Sequence, residues 1–333
     1  MRLLITGGAG FLGARLAREI LARRHLAGQL VREVVISDLV DPPPDLLDDS
    51  RIVPAVAPML EQADLFASGF DGVFHMASAV SGECEMNFDL GMHSNLDSTR
   101  LLLDGIRRSG KAARLVFSSS VAVFGPYGTE PMPDMVSDTT LPSPQTSYGT
   151  QKLMLEYLIA DYSRKGFIDG RSARLMTVTV RPGSPNGAAS SFFSGIIREP
   201  LAGVDSMCPV DAGVSHPVAS PSTTIAGLLT LFEISESSLG NRLALNLPGL
   251  TVTVAQMLDA LERVAGTVVR QRVHFEKDPR IAAIVDKWPR GASSGRSHAL
   301  GLVADASFDA IIEQYIDDCR NRIGYPPKAL QGL

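Results

Sequence analysis

Short apolar runs alternate with helix-like patterns along the first half of the chain. The apolar runs are continuous rather than alternating, which is typical of strands that helices cover on both faces. They occupy residues 2–6, 33–37, 51–53, 72–75, 114–118 and 175–180. Helix-like segments lie between them at 11–24, 58–68, 90–109 and 146–165. This alternation predicts βαβ units and therefore an α/β fold with a doubly wound, mostly parallel sheet.

The regular alternation of predicted strands and helices ends after Arg181, where Pro182, Gly183 and Pro185 end the sixth predicted strand. Helices are predicted at 191–203, 222–235, 254–264, 279–286 and 306–323, with short strands at 243–246 and 270–275. This mixture predicts a smaller C-terminal α+β lobe over one end of the sheet. We expect the sheet domain to span 1–182, with 215–247 returning to it, and the lobe to comprise 183–214 and 248–333.

Composition narrows the class of protein. The 333 residues are 45% apolar and 20% charged, which excludes general disorder, and the net charge of −5 favours neither a nucleic-acid nor a membrane partner. No apolar run approaches the length of a membrane span, and the first is too short for a signal peptide. Cys84, Cys208 and Cys319 are too scattered for a disulfide framework, and no histidine or cysteine spacing suits a metal. We therefore expect a cytoplasmic protein without a bound metal.

A glycine-rich turn joins the first predicted strand to the first helix. Gly7, Gly10 and Gly13 permit a tight turn, close approach of the backbone to a pyrophosphate, and close packing of helix against strand. The helix amino terminus adds a partial positive charge for phosphates. Asp38 ends the second strand, where a carboxylate accepts hydrogen bonds from ribose hydroxyls and repels a 2′-phosphate. These features predict a Rossmann site for NAD rather than NADP.

An acid–base group is predicted further along the chain. Ser118, Ser119 and Ser120 follow the fifth strand, and Tyr148 and Lys152 share one face of the next long helix. A phenol ordinarily has a pKa of about 10, but a nearby ammonium and the charge of oxidised nicotinamide favour the phenolate and lower that pKa. Such a tyrosine takes a proton from a substrate hydroxyl while hydride leaves the same carbon, and a serine hydroxyl polarises the substrate oxygen.

Together these motifs resemble the extended short-chain dehydrogenase/reductase family, the superfamily of the NAD-dependent epimerases and dehydratases. The resemblance covers essentially the whole chain and includes residues 75–78, Asn95 and 181–183. It implies that Ser120 carries the catalytic hydroxyl, that Tyr148 accepts the proton, and that Lys152 binds the nicotinamide ribose and tunes Tyr148. The cofactor contacts that it implies are Gly7, Gly10, Phe11, Leu12, Gly13, Asp38, Ala77, Asn95, Ser118, Tyr148, Lys152 and Pro182.

Five segments, at 121–125, 144–149, 190–201, 245–249 and 304–309, resemble a subgroup of this family that uses NAD to oxidise D-erythronate at C2. The subgroup resemblance implies oxidation of a small sugar acid to the 2-oxo acid, with Arg198 offering a bidentate fork to the carboxylate. The substrate contacts expected on this basis are Ser81, Ser120, Val121, Tyr148, Ser184, Asn186, Ser191, Arg198 and His216. Without the resemblance, Arg198 is a solvated or interface residue and His216 is a loop histidine.

Some positions depart from the family pattern. Residues 53–57 lack the acidic residue that normally holds adenine at the end of the third strand. Ser184 replaces the usual lysine of the subgroup, and Pro217 replaces a bulky aromatic residue, so a sugar acid of different length or configuration stays open. Two other functions also stay open: a sugar epimerase or dehydratase that retains NAD, and a non-catalytic dinucleotide sensor.

Two helices, at 90–109 and 146–165, carry wide apolar stripes. The family resemblance implies that they form the interface of a homodimer. The alternative is that the stripes only cover the sheet of a single chain.

Overall fold

The structure is a computed structural model that describes residues 1–183, 189–321, 325–326 and 328–333. Two of the predicted substrate contacts, Ser184 and Asn186, lie outside the described residues.

A seven-stranded parallel sheet forms the centre of the molecule, which confirms the predicted α/β class. Its strands in chain order are β1 (Arg2–Thr6), β2 (Glu33–Asp38), β3 (Ile52–Val56), β4 (Gly72–His75), β5 (Arg114–Ser120), β6 (Asp169–Leu175) and β7 (Leu245–Asn246). Their spatial order is β3-β2-β1-β4-β5-β6-β7, and all neighbours are parallel. The order reverses between β1 and β4, and open α/β sheets bind ligands at the carboxyl ends of the strands beside such a reversal.

Helices cover both faces of the sheet and build the lobe. The helices referred to below are α1 (Phe11–Arg23), α2 (Ser81–Met86), α3 (Ser98–Ser109), α4 (Ser147–Arg164), α5 (Ser191–Leu201), α6 (Pro221–Glu233), α7 (Val254–Ala265) and α8 (Phe308–Asn321). Short helical turns occupy Pro44–Leu47, Met59–Glu61, Ala63–Phe66, Phe88–Gly91, Met92–Asp97, Val121–Val123, Glu236–Leu239, Thr267–Arg270, Pro279–Val285 and Gly295–Ala299. Short strands outside the main sheet occupy His25–Leu26, Gln29–Leu30, Met135–Val136, Thr177–Val178, Ser206–Cys208, Ser215–Ala219, Leu250–Thr253, Val273–Phe275 and Gly291–Ala292.

Side chains of the sheet alternate between two apolar cores. Leu3 and Ile5 of β1 pack in one core with α1 and α6, whereas Leu4 packs in the other with α3 and α4. A separate core joins α5, α7 and α8 and includes Phe193 and Leu258. The lobe therefore has an apolar interior of its own, while α6 and β7 pack with the sheet.

The prediction of the sixth strand at 175–180 was wrong. The sixth strand of the sheet is β6, and Thr177–Val178 pairs instead with Ser215–Ala219 in a separate three-stranded sheet. Apolar runs do not identify β6 because it buries two charged side chains, Arg171 and Arg174. Asp169 and Glu156 neutralise these guanidinium groups, so the strand is stable inside the sheet.

Candidate active site

The glycine-rich turn leaves no room for side chains. A Cβ on Gly7, whose φ is +68°, would lie 2.7 Å from the backbone nitrogen of Ala77. A Cβ on Gly13 would lie 2.1 Å from the carbonyl oxygen of Gly7. Gly10 donates its N–H to the same oxygen at 3.2 Å and precedes Phe11, the first residue of α1. Backbone N–H groups at a helix start, with no side chain above them, suit a pyrophosphate.

Asp38 lies at the end of β2 beside this turn. Its Oδ2 atom accepts a hydrogen bond from the Ala9 N–H at 2.9 Å, and its Oδ1 atom accepts one from the Leu39 N–H at 2.7 Å. A carboxylate at this place fits the ribose hydroxyls of a dinucleotide. The turn, the start of α1 with Leu12, and Asp38 therefore fit NAD on the geometry of this chain alone.

The end of β3 is held by an amide in place of the missing carboxylate. The buried Gln62 side chain donates to the carbonyl oxygens of Ala57 at 2.6 Å and Ala55 at 3.2 Å. Its Oε1 atom accepts a hydrogen bond from the Ser37 hydroxyl of β2 at 2.8 Å. Gln62 thus joins the carboxyl ends of β2 and β3, where an adenine would lie.

The structure brings the predicted acid–base residues together at the carboxyl end of β5. Thr146 caps α4 by accepting the Gly149 N–H at 3.1 Å, which places Tyr148 in the first turn. The buried Lys152 ammonium donates to the carbonyl oxygen of Ser118 at 2.8 Å. Its nitrogen lies 5.4 Å from the centre of the Tyr148 ring. A hydrogen bond also links the side chains of Ser120 and Tyr148.

The pKa values of this pair differ from the prediction. Burial raises the pKa of Tyr148 to about 12, although the hydrogen bond from Ser120 and the charge of Arg181 oppose that rise. Burial lowers the pKa of Lys152 to about 7, with the negative forms of Cys84 and Glu156 acting in the opposite direction. In the protein chain alone, loss of solvation outweighs the ammonium that was expected to lower the Tyr148 pKa.

Asn95 connects α4 to the loop after β4. It lies in the single π-helical turn Met92–Asp97, and its Oδ1 atom accepts the Ala79 N–H at 2.7 Å. Its amide donates to Gln151 Oε1 at 2.7 Å and to Cys84 Sγ at 3.3 Å. The π-helical turn was not predicted, since the segment continues the helical pattern of 90–109.

A chain of hydrogen bonds crosses the carboxyl ends of β1 and β4. His75 Nδ1 accepts from the Thr6 hydroxyl at 2.7 Å, and Nε2 donates to Thr99 Oγ1 at 2.7 Å because the Thr99 hydroxyl itself donates to the Asn95 carbonyl. Thr6 in turn accepts the Ala77 N–H at 3.3 Å. Burial lowers the pKa of His75 to about 3, so this imidazole is neutral and orients its neighbours.

Other predicted contacts lie around the same region. Val121 follows Ser120 directly in a helical turn, where Ser120 Oγ accepts the Ala122 N–H at 3.1 Å. Ser81 is the first residue of α2, and Pro182 follows the short strand Thr177–Val178.

Arg198 and His216 are engaged by protein groups. The buried Arg198 donates to the carbonyl oxygen of Arg181 at 2.9 Å and forms an ion pair with Glu199 at 2.5 Å. His216 stacks on Phe193 with ring centres 5.0 Å apart. Its Nδ1 donates to the Pro289 carbonyl at 3.1 Å, and its Nε2 accepts from Thr177 at 2.7 Å. Both nitrogens of His216 are therefore hydrogen-bonded to protein groups.

Ser191 is the first residue of α5. It lines a cavity of about 840 Å³ between α5 and the segment 276–281, together with Phe192 and Glu199. Within the described part of the chain, none of Ser120, Tyr148 and Lys152 lines this cavity. We place the candidate active site at Tyr148, where the acid–base groups meet.

Arg181 lies near Tyr148 and was absent from the predicted site residues. Its guanidinium donates to the Val178 carbonyl at 2.9 Å and to the Ser190 hydroxyl at 3.2 Å. Its charge acts on Tyr148, and burial lowers its own pKa. Because the chain leaves the main sheet at Leu175 and Thr177–Val178 pairs in another sheet, Arg181 lies close enough to interact with Tyr148.

Two kinds of feature are absent from the described ranges. No cluster of three or more histidine, cysteine, aspartate or glutamate side chains there could hold a metal ion. Among the helices of those ranges, none is long and apolar enough to cross a membrane.

The chain is similar over nearly its full length to several known proteins. The chain is 46% identical to a protein named D-erythronate dehydrogenase from Cupriavidus necator, with 96% of this chain and 98% of the relative covered. It is 39% identical to a protein of the same name from Haemophilus influenzae, covering 95% and 99% of the two chains. A crystal structure named nucleoside-diphosphate-sugar epimerase, from Agrobacterium tumefaciens, superposes with a TM-score of 0.90 at 36% identity and covers 98% of this chain and 95% of that one.

The family model that matches residues 3–210 is described as the NAD dependent epimerase/dehydratase family. The match confirms the prediction of NAD as the cofactor, and it includes the glycine-rich turn, Tyr148 and Lys152. This chain belongs to the NAD-dependent epimerase/dehydratase family.

Proposed function

We propose that this protein is an NAD-dependent dehydrogenase that oxidises the C2 hydroxyl of a small sugar acid, D-erythronate or a close relative, to the 2-oxo acid. The observation that carries the proposal is the meeting of Ser120, Tyr148 and Lys152 at the carboxyl end of β5. The two relatives named D-erythronate dehydrogenase, which match nearly full length, support this choice of substrate.

Each member of the group has a distinct part in the proposed reaction. Bound NAD supplies the hydride acceptor. Ser120 holds the substrate hydroxyl by a hydrogen bond, and the Tyr148 phenolate takes the proton from that oxygen. The Lys152 ammonium, fixed by the Ser118 carbonyl, stabilises the phenolate and donates to the nicotinamide ribose. The glycine-rich turn and Asp38 hold the other end of the cofactor.

A sugar acid also needs a cation for its carboxylate, and we assign this role to Arg181 rather than to Arg198. Arg181 is partly buried, and its charge acts on Tyr148. Arg198 instead holds the backbone carbonyl of Arg181 and is paired with Glu199. An arginine fork offers a carboxylate two parallel hydrogen bonds, which fixes C2 relative to Tyr148.

The test is NADH formation with a panel of three- to six-carbon sugar acids, with NADP as a parallel cofactor. We expect NADH with NAD and a four-carbon acid, and Tyr148→Phe should abolish it because the phenyl ring cannot accept the proton. Equal rates for the two proteins would refute the mechanism. Arg181→Gln should lower kcat/KM about 100-fold for the acid, and it should change NAD affinity little.

One observation favours a second candidate, a sugar epimerase that retains its NAD. The Agrobacterium tumefaciens structure with a TM-score of 0.90 is named a nucleoside-diphosphate-sugar epimerase. Such an enzyme regenerates NAD in each turnover and accumulates no NADH. Purified protein with tightly retained NAD, epimer formation from a nucleotide sugar and no net NADH would favour this candidate.

We also propose a homodimer through residues 90–109 and 146–165. Met154 and Tyr157 of α4 are exposed by 46% and 56%, and Phe88 and Leu90 lie exposed just before the π-helical turn. Large apolar side chains grouped on neighbouring helices are typical of an interface. Tyr157→Arg should convert a dimer into a monomer in light scattering, and a wild-type monomer would refute the proposal.

A cytoplasmic location is proposed from the cysteines. All three lie within the described ranges and are free thiols, and Cys84 and Cys208 are buried. Free thiols are typical of reducing compartments.

A further inference from the structure

We propose that Glu156, held by Arg174 and Ser119, is a positioning residue. Its negative charge stabilises the buried Lys152 ammonium next to Tyr148. This inference rests on the proposed dehydrogenase chemistry. It assigns a role in that chemistry to a buried ion pair with no contact to substrate or cofactor.

Two consecutive serines of β5 hold two consecutive turns of α4. The carbonyl oxygen of Ser118 accepts the Lys152 ammonium at 2.8 Å, and the Ser119 hydroxyl donates to Glu156 Oε1 at 2.5 Å. Lys152 and Glu156 are four residues apart on the helix, so their side chains lie on the same face. Both side chains are buried against the sheet, where charges interact strongly.

Arg174 of β6 fixes the carboxylate from the other side. Its Nε donates to Glu156 Oε1 at 2.9 Å, and its second nitrogen donates to Oε2 at 2.8 Å. The two side chains are exposed by only 6% and 4%, and the guanidinium stacks 4.8 Å from the centre of the Phe124 ring. The remaining nitrogen of Arg174 has no hydrogen-bond partner within the described ranges.

Such a pair is a poor device for stability alone. Removing two charges from water costs about as much as their attraction returns, and apolar residues of similar volume often do better. The geometry instead allows Glu156 to act on Lys152, because a fixed carboxylate one helical turn from a buried ammonium favours the charged form of that ammonium. The tightly held Glu156 therefore offsets part of the desolvation of Lys152.

Several groups besides Glu156 face Lys152. They are the Cys84 thiol of α2, the neutral His75 imidazole of β4, Tyr148 on its own helix and the Phe117 ring of β5. Cys84 acts in the same direction as Glu156 when ionised, but burial raises the pKa of this thiol. Glu156 is thus the carboxylate that acts on Lys152 within the described structure.

The test uses two variants that change the net charge near Lys152 in opposite directions. Oxidation needs a protonated Lys152, so the alkaline limb of the kcat profile reports its ionisation. Glu156→Gln removes the negative charge and leaves Arg174, so we expect that limb to move to lower pH by about one unit. At pH values above the limb, a shift of one unit lowers kcat about tenfold. Arg174→Gln leaves the negative charge, so its limb moves to higher pH.

Controls separate this role from mere structural support. Glu156→Asp keeps the negative charge, so the alkaline limb of the kcat profile should stay at the same pH. Ser119→Ala removes one hydrogen bond without changing any charge, so the limb should stay at the same pH in this variant too. A structural role predicts lower activity in both charge variants without opposite shifts. If Arg174→Gln does not fold, the two Glu156 variants still test the proposal. The proposal is overturned if the alkaline limb does not move in Glu156→Gln, or if it moves equally in Glu156→Asp.

A second readout does not depend on the substrate. The Lys152 ammonium can be titrated by NMR in lysine-labelled protein, with its signal assigned from Lys152→Arg. The midpoint must fall in Glu156→Gln and rise in Arg174→Gln, and midpoints that move together refute the inference. If the wild type oxidises no sugar acid but the midpoints move as stated, the proposed function fails while the electrostatic role stands.

Discussion

Gly13→Ala tests whether the glycine-rich turn is required for cofactor binding. The added methyl carbon would lie 2.1 Å from the Gly7 carbonyl oxygen, 2.6 Å from Gly8 Cα and 2.9 Å from the Gly7 carbonyl carbon. All three are backbone atoms, so no side chain can rotate away. To reach ordinary contact, α1 and the turn must separate by about 1 Å, and a displacement of about 1 Å at a binding site can cost about 100-fold.

The Gly13→Ala substitution should lower both the stability of the protein and its affinity for NAD. Forcing a methyl group into a packed site typically costs about 1–3 kcal/mol of stability, so the variant should unfold at lower temperature but remain folded. The Kd for NAD, measured by calorimetry below the unfolding transition, should rise at least about tenfold, which corresponds to about 1.4 kcal/mol. Gly213→Ala is the matched control, because a Cβ at Gly213 meets no atom within 4 Å. A Gly13→Ala protein that binds NAD like the wild type would refute this account of the turn.

Three other variants test the remaining chemistry and packing. Lys152→Met keeps the side-chain length but removes the ammonium, and kcat should fall about 100-fold or more; unchanged steady-state kinetics would contradict its role. Because burial lowers the pKa of His216 from 6.5 to about 4, the unfolded chain binds more protons between these values, so the free energy of unfolding must fall as pH decreases through this window. Urea titrations should show a slope smaller by up to about 1.4 kcal/mol per pH unit in His216→Gln, and an unchanged slope would show that His216 does not titrate as stated. Arg15→Met removes the guanidinium that pairs with the buried Asp318 at 2.5 Å. The loss should cost about 3 kcal/mol in denaturant unfolding, because the Tyr325 hydroxyl still donates to Asp318. Arg15→Met combined with Asp318→Leu should restore most of this loss.

The parts of the fold that depend on local backbone rules were predictable. The turn at Gly7 requires a positive φ and the turn at Gly13 requires a missing Cβ, so the glycines mark them in any sequence. The helix that carries Tyr148 and Lys152 has a capping threonine and a clear helical pattern. The roles of the individual site residues and the domain boundaries stay predictions, since they depend on what binds and on how the lobe is delimited.

The parts that depend on contacts distant in sequence were not predictable. β6 did not resemble a buried strand because its arginines are neutralised by Asp169 and by Glu156 of another element. The raised pKa of Tyr148 follows from burial by groups that no spacing identifies. Arg181 reaches Tyr148 only because the chain leaves the main sheet at Leu175.

The charges inside β6 also specify how this strand aligns during folding. Arg171 donates to the Leu231 and Ile234 carbonyls at the end of α6, Arg174 pairs with Glu156, and Asp169 pairs with Arg114 of β5. A shift of one residue along β5 would turn Arg174 away from Glu156 and Asp169 away from Arg114, and a shift of two would also separate these partners. A misaligned pairing would thus leave Arg174 buried without its carboxylate, whereas a purely aliphatic strand would lose only contact area. The ion pairs of the fifth and sixth strands therefore favour the native alignment of these strands over shifted alignments during folding.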